Sequence, residues 1–391
     1  MKPRGRHFFA NPGPTNIPDS VMQAVAHATV DFNGPDFMAV YEGCVAGLKR
    51  VLRTEQEVFM YTGSGHAAWE ATLTNLLSHG DRILVIETGH FSDSWGKMAA
   101  DLGIVVDTLP ADWRKGVDYA ALRAALLADT SHALKAIGAV HNETSTGMTL
   151  DLARIRALLD ETGHPALLMA DTISSLGSLD FRMDEWGVDA AVGGSQKGLM
   201  LPVGFSFTGV SAKAMRAHHG STLPKHYFSW TTMLGRKHRS FIGTVPIALF
   251  YGLQESLRLI EEEGLGNVLA RHHRLAEATR RCVRHWAGNN GPQLYGLEPN
   301  RLSDSVTSIL MPDGHDAEAL RKRVATMNVA LGAGLGRLNG KVFRIGHLGD
   351  LNEPMLLGTL AATEIGLRLE GVPHTPGGVD AAMGYLADTA G

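Results

Sequence analysis

From Glu57 onward, short apolar runs alternate with longer stretches whose apolar positions recur at helical spacing. That alternation predicts an α/β fold, a mainly parallel sheet covered by helices. Strands are expected at 58–61, 83–86, 105–109, 136–141, 167–171, 189–193 and 205–209, and helices between them at 67–77, 94–102, 119–128 and 152–161. Function in such sheets collects at the C-terminal strand ends. Before this region, residues 1–18 are rich in Pro and Gly and read as an extended arm turning at Asn11-Pro12-Gly13-Pro14; helical patterns follow at 21–28 and 37–52. After it, helical patterns at 246–263 and 268–286 close a large domain and open a smaller one. That smaller one has strands at 305–311 and 342–349 and helices at 318–327 and 353–369. The expected organisation is an arm over 1–18, a large domain over 19–265 and a small C-terminal α+β domain over 266–391. Gly332-Ala333-Gly334-Leu335-Gly336 has the wrong spacing for a dinucleotide loop and is expected to be a flexible loop before the strand of Arg344.

Length and composition narrow the class. A chain of 391 residues can form two domains with large cores, and its 45 glycines exceed the usual ~7%, as many tight strand-to-helix turns require. A net charge of −4 carries no polyanion-binding signature, so neither nucleic acid nor an acidic membrane surface is expected as partner. Cys44 and Cys282 lie far apart in helical patterns, which suits a reducing cytosol and gives no disulfide framework. The basic N-terminus runs into Asn11-Pro12 rather than a long apolar core, so no signal peptide is expected, and no apolar run of ~18 residues suggests a membrane span. His218–His219 and His272–His273 are adjacent pairs and no His-Glu-x-x-His occurs, so no metal site is expected.

The chemistry centres on Gly194-Ser195-Gln196-Lys197-Gly198, where an apolar strand ends in small residues and a lone lysine follows. A lysine held in such an apolar turn loses solvation, which lowers its pKa and frees a nucleophilic amine. Asp171 closes another apolar strand 26 positions earlier. Pyridoxal phosphate enzymes need this pair, a carboxylate for the pyridine nitrogen and a lysine for the Schiff base. A strand-terminating aspartate and an incidental turn lysine are the plainer alternative. Gly63-Ser64-Gly65-His66 opens a helix and can hold a phosphate on free N–H groups, or Ser64 can be a simple N-cap. Phe91 puts an aromatic face at the same edge, where core packing is the commoner use. Within His141-Asn142-Glu143-Thr144-Ser145-Thr146-Gly147, Thr144 can reach a cofactor hydroxyl or merely shape a turn. Arg344, between apolar neighbours on a strand, demands an anion, either an internal carboxylate or a substrate carboxylate.

Together these segments resemble the class V aminotransferases of fold type I, in the branch of serine–glyoxylate and alanine–glyoxylate aminotransferases. The resemblance spans nearly the whole chain and rests also on Pro12–Pro18, Asp180–Asp189 and Lys341–Gly349. It implies pyridoxal 5'-phosphate as cofactor, Lys197 as the Schiff-base lysine and Asp171 as partner of the pyridine nitrogen. Ile173 and Phe91 would flank the ring, Ser64, Gly65, His66 and Gln196 would line the phosphate, and Thr144 would approach the ring hydroxyl. Arg344 would clamp the substrate carboxylate with help from backbone near Gly13. A homodimer is implied, with Phe241 and Thr244 of a second subunit completing the phosphate site. Phe241 stands where the family commonly has Tyr, so one phosphate hydrogen bond should be absent. Around Phe32 the segment Asp31-Phe32-Asn33-Gly34-Pro35 departs from the His-Arg-Ser or Tyr-Arg-Ser of many relatives, in a region that approaches the substrate from the partner. The expected activity is ping-pong transfer of an amino group from a small amino acid, serine first, to glyoxylate or a similar 2-oxo acid in the cytoplasm. Aspartate, alanine and ureidoglycine are alternative donors. A desulfurase-type lyase would need a thiol on a mobile loop, and a non-catalytic relative would be expected to lack Lys197 or Arg344.

Overall fold

A computed structural model describes residues 4–236 and 241–390. Seven strands form the larger sheet in the order Glu57–Thr62, Phe205–Val210, Ala190–Gly194, Leu167–Asp171, Leu134–Val140, Arg82–Glu87, Val105–Pro110. All neighbours run parallel except Phe205–Val210, which is antiparallel to both of its partners. The central strands are buried along their whole length because helices cover both faces. Along Arg82–Glu87 the side chains alternate between two cores, Leu84 and Ile86 in one, Ile83 and Val85 in the other.

The order of the strands decides where a ligand can enter. After Arg82–Glu87 the chain crosses to the outer edge strand Val105–Pro110, and after Leu134–Val140 it crosses the other way to Leu167–Asp171. The two connections diverge, so a crevice opens beyond the carboxyl ends of these adjacent strands. Residues 88–91 and 141–147 form its two lips.

A second, five-stranded sheet has the order Phe8–Ala10, Val329–Ala333, Val342–Gly346, Val306–Leu310, Gln293–Leu294 and a core of its own that includes Leu275, Trp286, Leu320, Phe343 and Leu360. The helix Ile247–Glu263 stops at Gly264, where Leu265–Trp286 begins and packs on this second core. The Pro- and Gly-rich arm is therefore anchored. Phe8–Ala10 lies parallel to Val329–Ala333 as an edge strand.

One expected loop is corrected. Gly332 and Ala333 are paired with Arg344 and Phe343 at the end of a strand, and only Gly336–Leu338 turns, as one 3-10 turn. A glycine is needed inside that strand because a Cβ at Gly332 would come within 2.6 Å of Pro12. Helix starts also move. The helix expected from 94 runs His90–Asp101, which puts Phe91 in its first turn, and the helices Ala212–Gly220, Trp230–Gly235 and Gly378–Asp388 lie outside the expected set.

Candidate active site

Lys197 follows the strand Ala190–Gly194 in a turn braced by a hydrogen bond from Ser195 Oγ to the Pro202 carbonyl (2.7 Å). Its Nζ donates to the carbonyl of Pro12 at 2.5 Å. Thr15 ties the arm down beside it, its N–H donating to the Gln196 carbonyl (3.2 Å) and its hydroxyl to that of Lys197 (3.2 Å). Gly13 lies against the lysine so closely that a Cβ there would be 1.9 Å from Nζ, and its φ is +118°. Burial and the charge of Arg344 bring the Lys197 amine down to about 8, against the pull of Asp171.

Asp171 ends the strand Leu167–Asp171 and is fully enclosed. Its Oδ1 accepts the N–H of Ile173 (2.7 Å) and its Oδ2 accepts the indole N–H of Trp69 (3.1 Å). Burial pushes this carboxyl up to about 7, with Glu143 adding to the rise while both hydrogen bonds and Lys197 oppose it.

A cleft enclosing ≈ 460 Å³, open solvent at its mouth included, joins these groups. Gly65, His66, Phe91, Thr144, Asp171, Ile173, Gln196 and Lys197 all line it, from among the residues singled out by sequence. Ser64 sits at its edge as N-cap of the helix Gly65–Leu76, and its side chain makes no cap hydrogen bond. The hydroxyl and the free first-turn N–H groups suit an anion. Gly65 packs on Ile173, where a Cβ would meet Ile173 Cδ1 at 2.3 Å, so only glycine lets the helix start this close. Two buried oxygens, Gln196 Oε1 and Asn142 Oδ1, have no hydrogen-bond partner among the described residues, and both side chains face the cleft.

Arg344, buried in the strand Val342–Gly346, stands beside the cleft behind Thr144 rather than in its wall. Its Nε donates to the Ala333 carbonyl (2.6 Å) and its Nη1 to that of Thr144 (3.0 Å). Among the described residues no carboxylate lies within ion-pair distance of it, although the charge of Glu143 acts on it from further off, and its remaining N–H donors stay available. Burial, helped by Arg321, brings its pKa down to about 10, with Glu143 opposing.

Three expected residues are not brought to this cleft. The Phe241 ring is buried in the large core, edge-on to Phe250 at 5.7 Å, because an apolar ring at this position packs inward. Thr244 is exposed, and half-buried Phe32 packs on the same core. Any role of these three at a cleft requires a second chain. Sequence reasoning missed Trp69, Asn142, Glu143 and Ser174. An indole in a helix reads as core, and Trp69 Nε1 shows its purpose only once the strand of Asp171 lies beneath it. Asn142 binds Ser174 and Ser305, partners 32 and 163 positions away.

Among the described residues no group of three His, Cys, Asp or Glu side chains can hold a metal ion, and no helix is long and apolar enough to cross a membrane. The fold and the cleft together are those of a fold type I aminotransferase. The chain belongs to the class-V aminotransferases, whose family model matches residues 7–338. It is 43% identical to the serine–glyoxylate aminotransferase of Methylorubrum extorquens, over 99% of this chain and 97% of the relative. It is 42% identical to the L-aspartate–glyoxylate aminotransferase of Paracoccus denitrificans, over 97% and 96%. Among solved structures, the alanine–glyoxylate aminotransferase of a Nostoc species superposes with a TM-score of 0.85 at 32% identity, covering 93% of this chain and 96% of that one.

Proposed function

We propose that this aminotransferase uses pyridoxal 5'-phosphate to move an amino group from a small amino acid, serine first, to glyoxylate or a similar 2-oxo acid. The observation that carries the proposal is that Lys197 and Asp171 line one cleft, both buried there, which pushes the amine down and the carboxyl up. When bound, the cofactor supplies an aldehyde for amines and a ring that stores the electron pair left when the α-proton departs. Lys197 would hold the aldehyde, and its free amine would take up and release the α-proton at Nζ. Asp171 keeps a proton on the ring nitrogen, and Trp69 and the Ile173 N–H hold its carboxylate in place. Ser64, Gly65, His66 and Gln196 would hold the phosphate, Gln196 through its side-chain NH2. Phe91 and Ile173 would flank the ring and Thr144 would lie near its hydroxyl, all three lining the cleft. Arg344 orients the donor carboxylate with the donors it does not spend on carbonyls, beside the backbone at Gly13. A small acceptor such as glyoxylate suits a site with one carboxylate clamp.

We further infer a cytoplasmic homodimer in which Thr244, exposed here, and the segments around Phe32 and Phe241 approach the neighbouring cleft. The large domain would span 19–265 and the small one 266–391. Aspartate is the nearest rival donor, since relatives named for serine and for aspartate stand at 43% and 42% identity. Alanine and ureidoglycine follow. Lyase chemistry is disfavoured, because burial pushes Cys44 up to about 12 and raises Cys282 as well, and neither lines the cleft.

The test is to load the protein, add single amino acids, follow the loss of visible absorbance, and restore it with glyoxylate or pyruvate. Serine should give the highest kcat/KM, and borohydride should fix the label on Lys197. Turnover by Lys197→Ala at the wild-type rate, or a label elsewhere, would falsify the assignment.

A further inference from the structure

Glu143 is a fully buried carboxylate with no role above, and four donors hold it. Its Oε2 accepts the N–H groups of Phe91 (3.0 Å) and Ser92 (3.1 Å), while Oε1 accepts the N–H (3.1 Å) and hydroxyl (2.6 Å) of Ser145. Ser145 Oγ in turn accepts the N–H of His90 at 3.0 Å. The first three N–H groups of the helix His90–Asp101 are thus satisfied from residues 143 and 145, since its N-cap Gly89 has no side chain to offer. Between those two residues stands Thr144, which lines the cleft and whose carbonyl accepts Arg344 Nη1. Three of the four partners are backbone N–H groups, which cannot accept, so an acid proton could turn only to the Ser145 hydroxyl, which already accepts the N–H of His90. The arrangement suits the anion even though burial pushes its pKa up.

We propose that Glu143 is a positioning residue for the transamination, fixing Phe91 against the ring and Arg344 against the donor carboxylate from one buried carboxylate. The inference rests on the function proposed above. Glu143→Gln is nearly isosteric, yet however the amide is turned its NH2 faces a backbone N–H, either that of Ser145 or those of Phe91 and Ser92. It also removes the negative charge that favours the Arg344 cation.

Wild type and variant are loaded with pyridoxal phosphate and compared by visible circular dichroism, by cofactor dissociation and by donor kinetics. The expected result is loss of most of the ellipticity per bound cofactor and weaker cofactor retention. The donor KM should rise on the order of tenfold with a smaller fall in kcat, as when a hydrogen bond to a charged group is lost. The amine lacking the donor's carboxylate should show an unchanged KM. A purely structural role would reduce the folded fraction and leave ellipticity per bound cofactor and KM alone, and that result overturns the inference. If Glu143→Gln does not fold, Ser145→Ala decides: it removes one of the four donors, so it should shift ellipticity and KM the same way by a smaller factor, and no shift overturns the proposal. Wild type that takes up no cofactor sinks the proposed function itself, and this inference with it. Normal wild-type loading with unaltered variants sinks this inference alone.

Discussion

Burial acts on Lys197 and Asp171 in the same sense, toward neutrality, and so moves their pKa values toward each other, the amine down to about 8 and the carboxyl up to about 7. For the cofactor-free fold the sign for Asp171 follows. Its folded pKa is raised, so its contribution to stability is present below about 3.8 and is lost as pH rises through about 7. Lys197 is depressed, so its contribution is present above 10.5 and lost as pH falls through about 8. Uptake of an aldehyde requires the unprotonated amine. The second-order rate of pyridoxal phosphate uptake should therefore rise with pH and level off above about 8, where an ordinary lysine would keep rising to ~10.4. Stopped-flow absorbance across that range checks it, and a rise continuing to the ordinary lysine value would contradict a desolvated Lys197. These two residues stand out in the sequence because Asp171 ends an apolar strand and Lys197 follows one in a turn. Their partners do not. Pro12 and Trp69 meet Lys197 and Asp171 across 185 and 102 positions, and no local pattern encodes such contacts.

At the scale of elements, most sheet strands were legible, since a strand buried on both faces is a plain apolar run. What escaped were elements whose residues are small or few. Val329–Ala333 ends in Gly and Ala because Pro12 crowds it, and Phe8–Ala10 is too short to show a period. These two strands lie side by side, and through them the arm joins the strand of Arg344 to Lys197: Ala333 accepts from Arg344, and the chain beyond Ala10 covers the lysine. A Cβ at position 13 would sit on Nζ and also strain a left-handed φ. Gly13→Ala should therefore displace the lysine and alter the rate of cofactor uptake while costing about 1–3 kcal/mol of stability, the range of strained-backbone changes. Rates of borohydride-fixed labelling and a urea melt measure the two effects. Uptake at the wild-type rate would show that the arm does not press on the lysine in solution.

At the scale of the whole molecule, the two sheets must be held together for Arg344 to stand beside Thr144, and apart from Val342 the residues that do this lie outside every motif read from the sequence. Trp113, in the loop after Val105–Pro110, packs with Tyr295, Leu338 and Val342 of the smaller unit and donates its indole N–H to Glu87 at 3.2 Å. The Arg337 guanidinium stacks 3.3 Å from its ring centre. Around it Arg114 reaches the Tyr295 carbonyl (2.8 Å), and Arg301 reaches the carbonyls of Lys115 and Val117 (3.0 Å each). Truncating a buried aromatic costs about 3–5 kcal/mol, and this satellite cluster belongs at the lower end. Trp113→Ala should loosen the smaller unit without disturbing Lys197, Asp171 or Phe91, all of which the larger sheet carries. The expected outcome is a donor KM raised roughly tenfold, with cofactor uptake and the site of the borohydride label unchanged. Equal loss of uptake and of donor affinity would mean instead that the cleft depends on the contact as a whole.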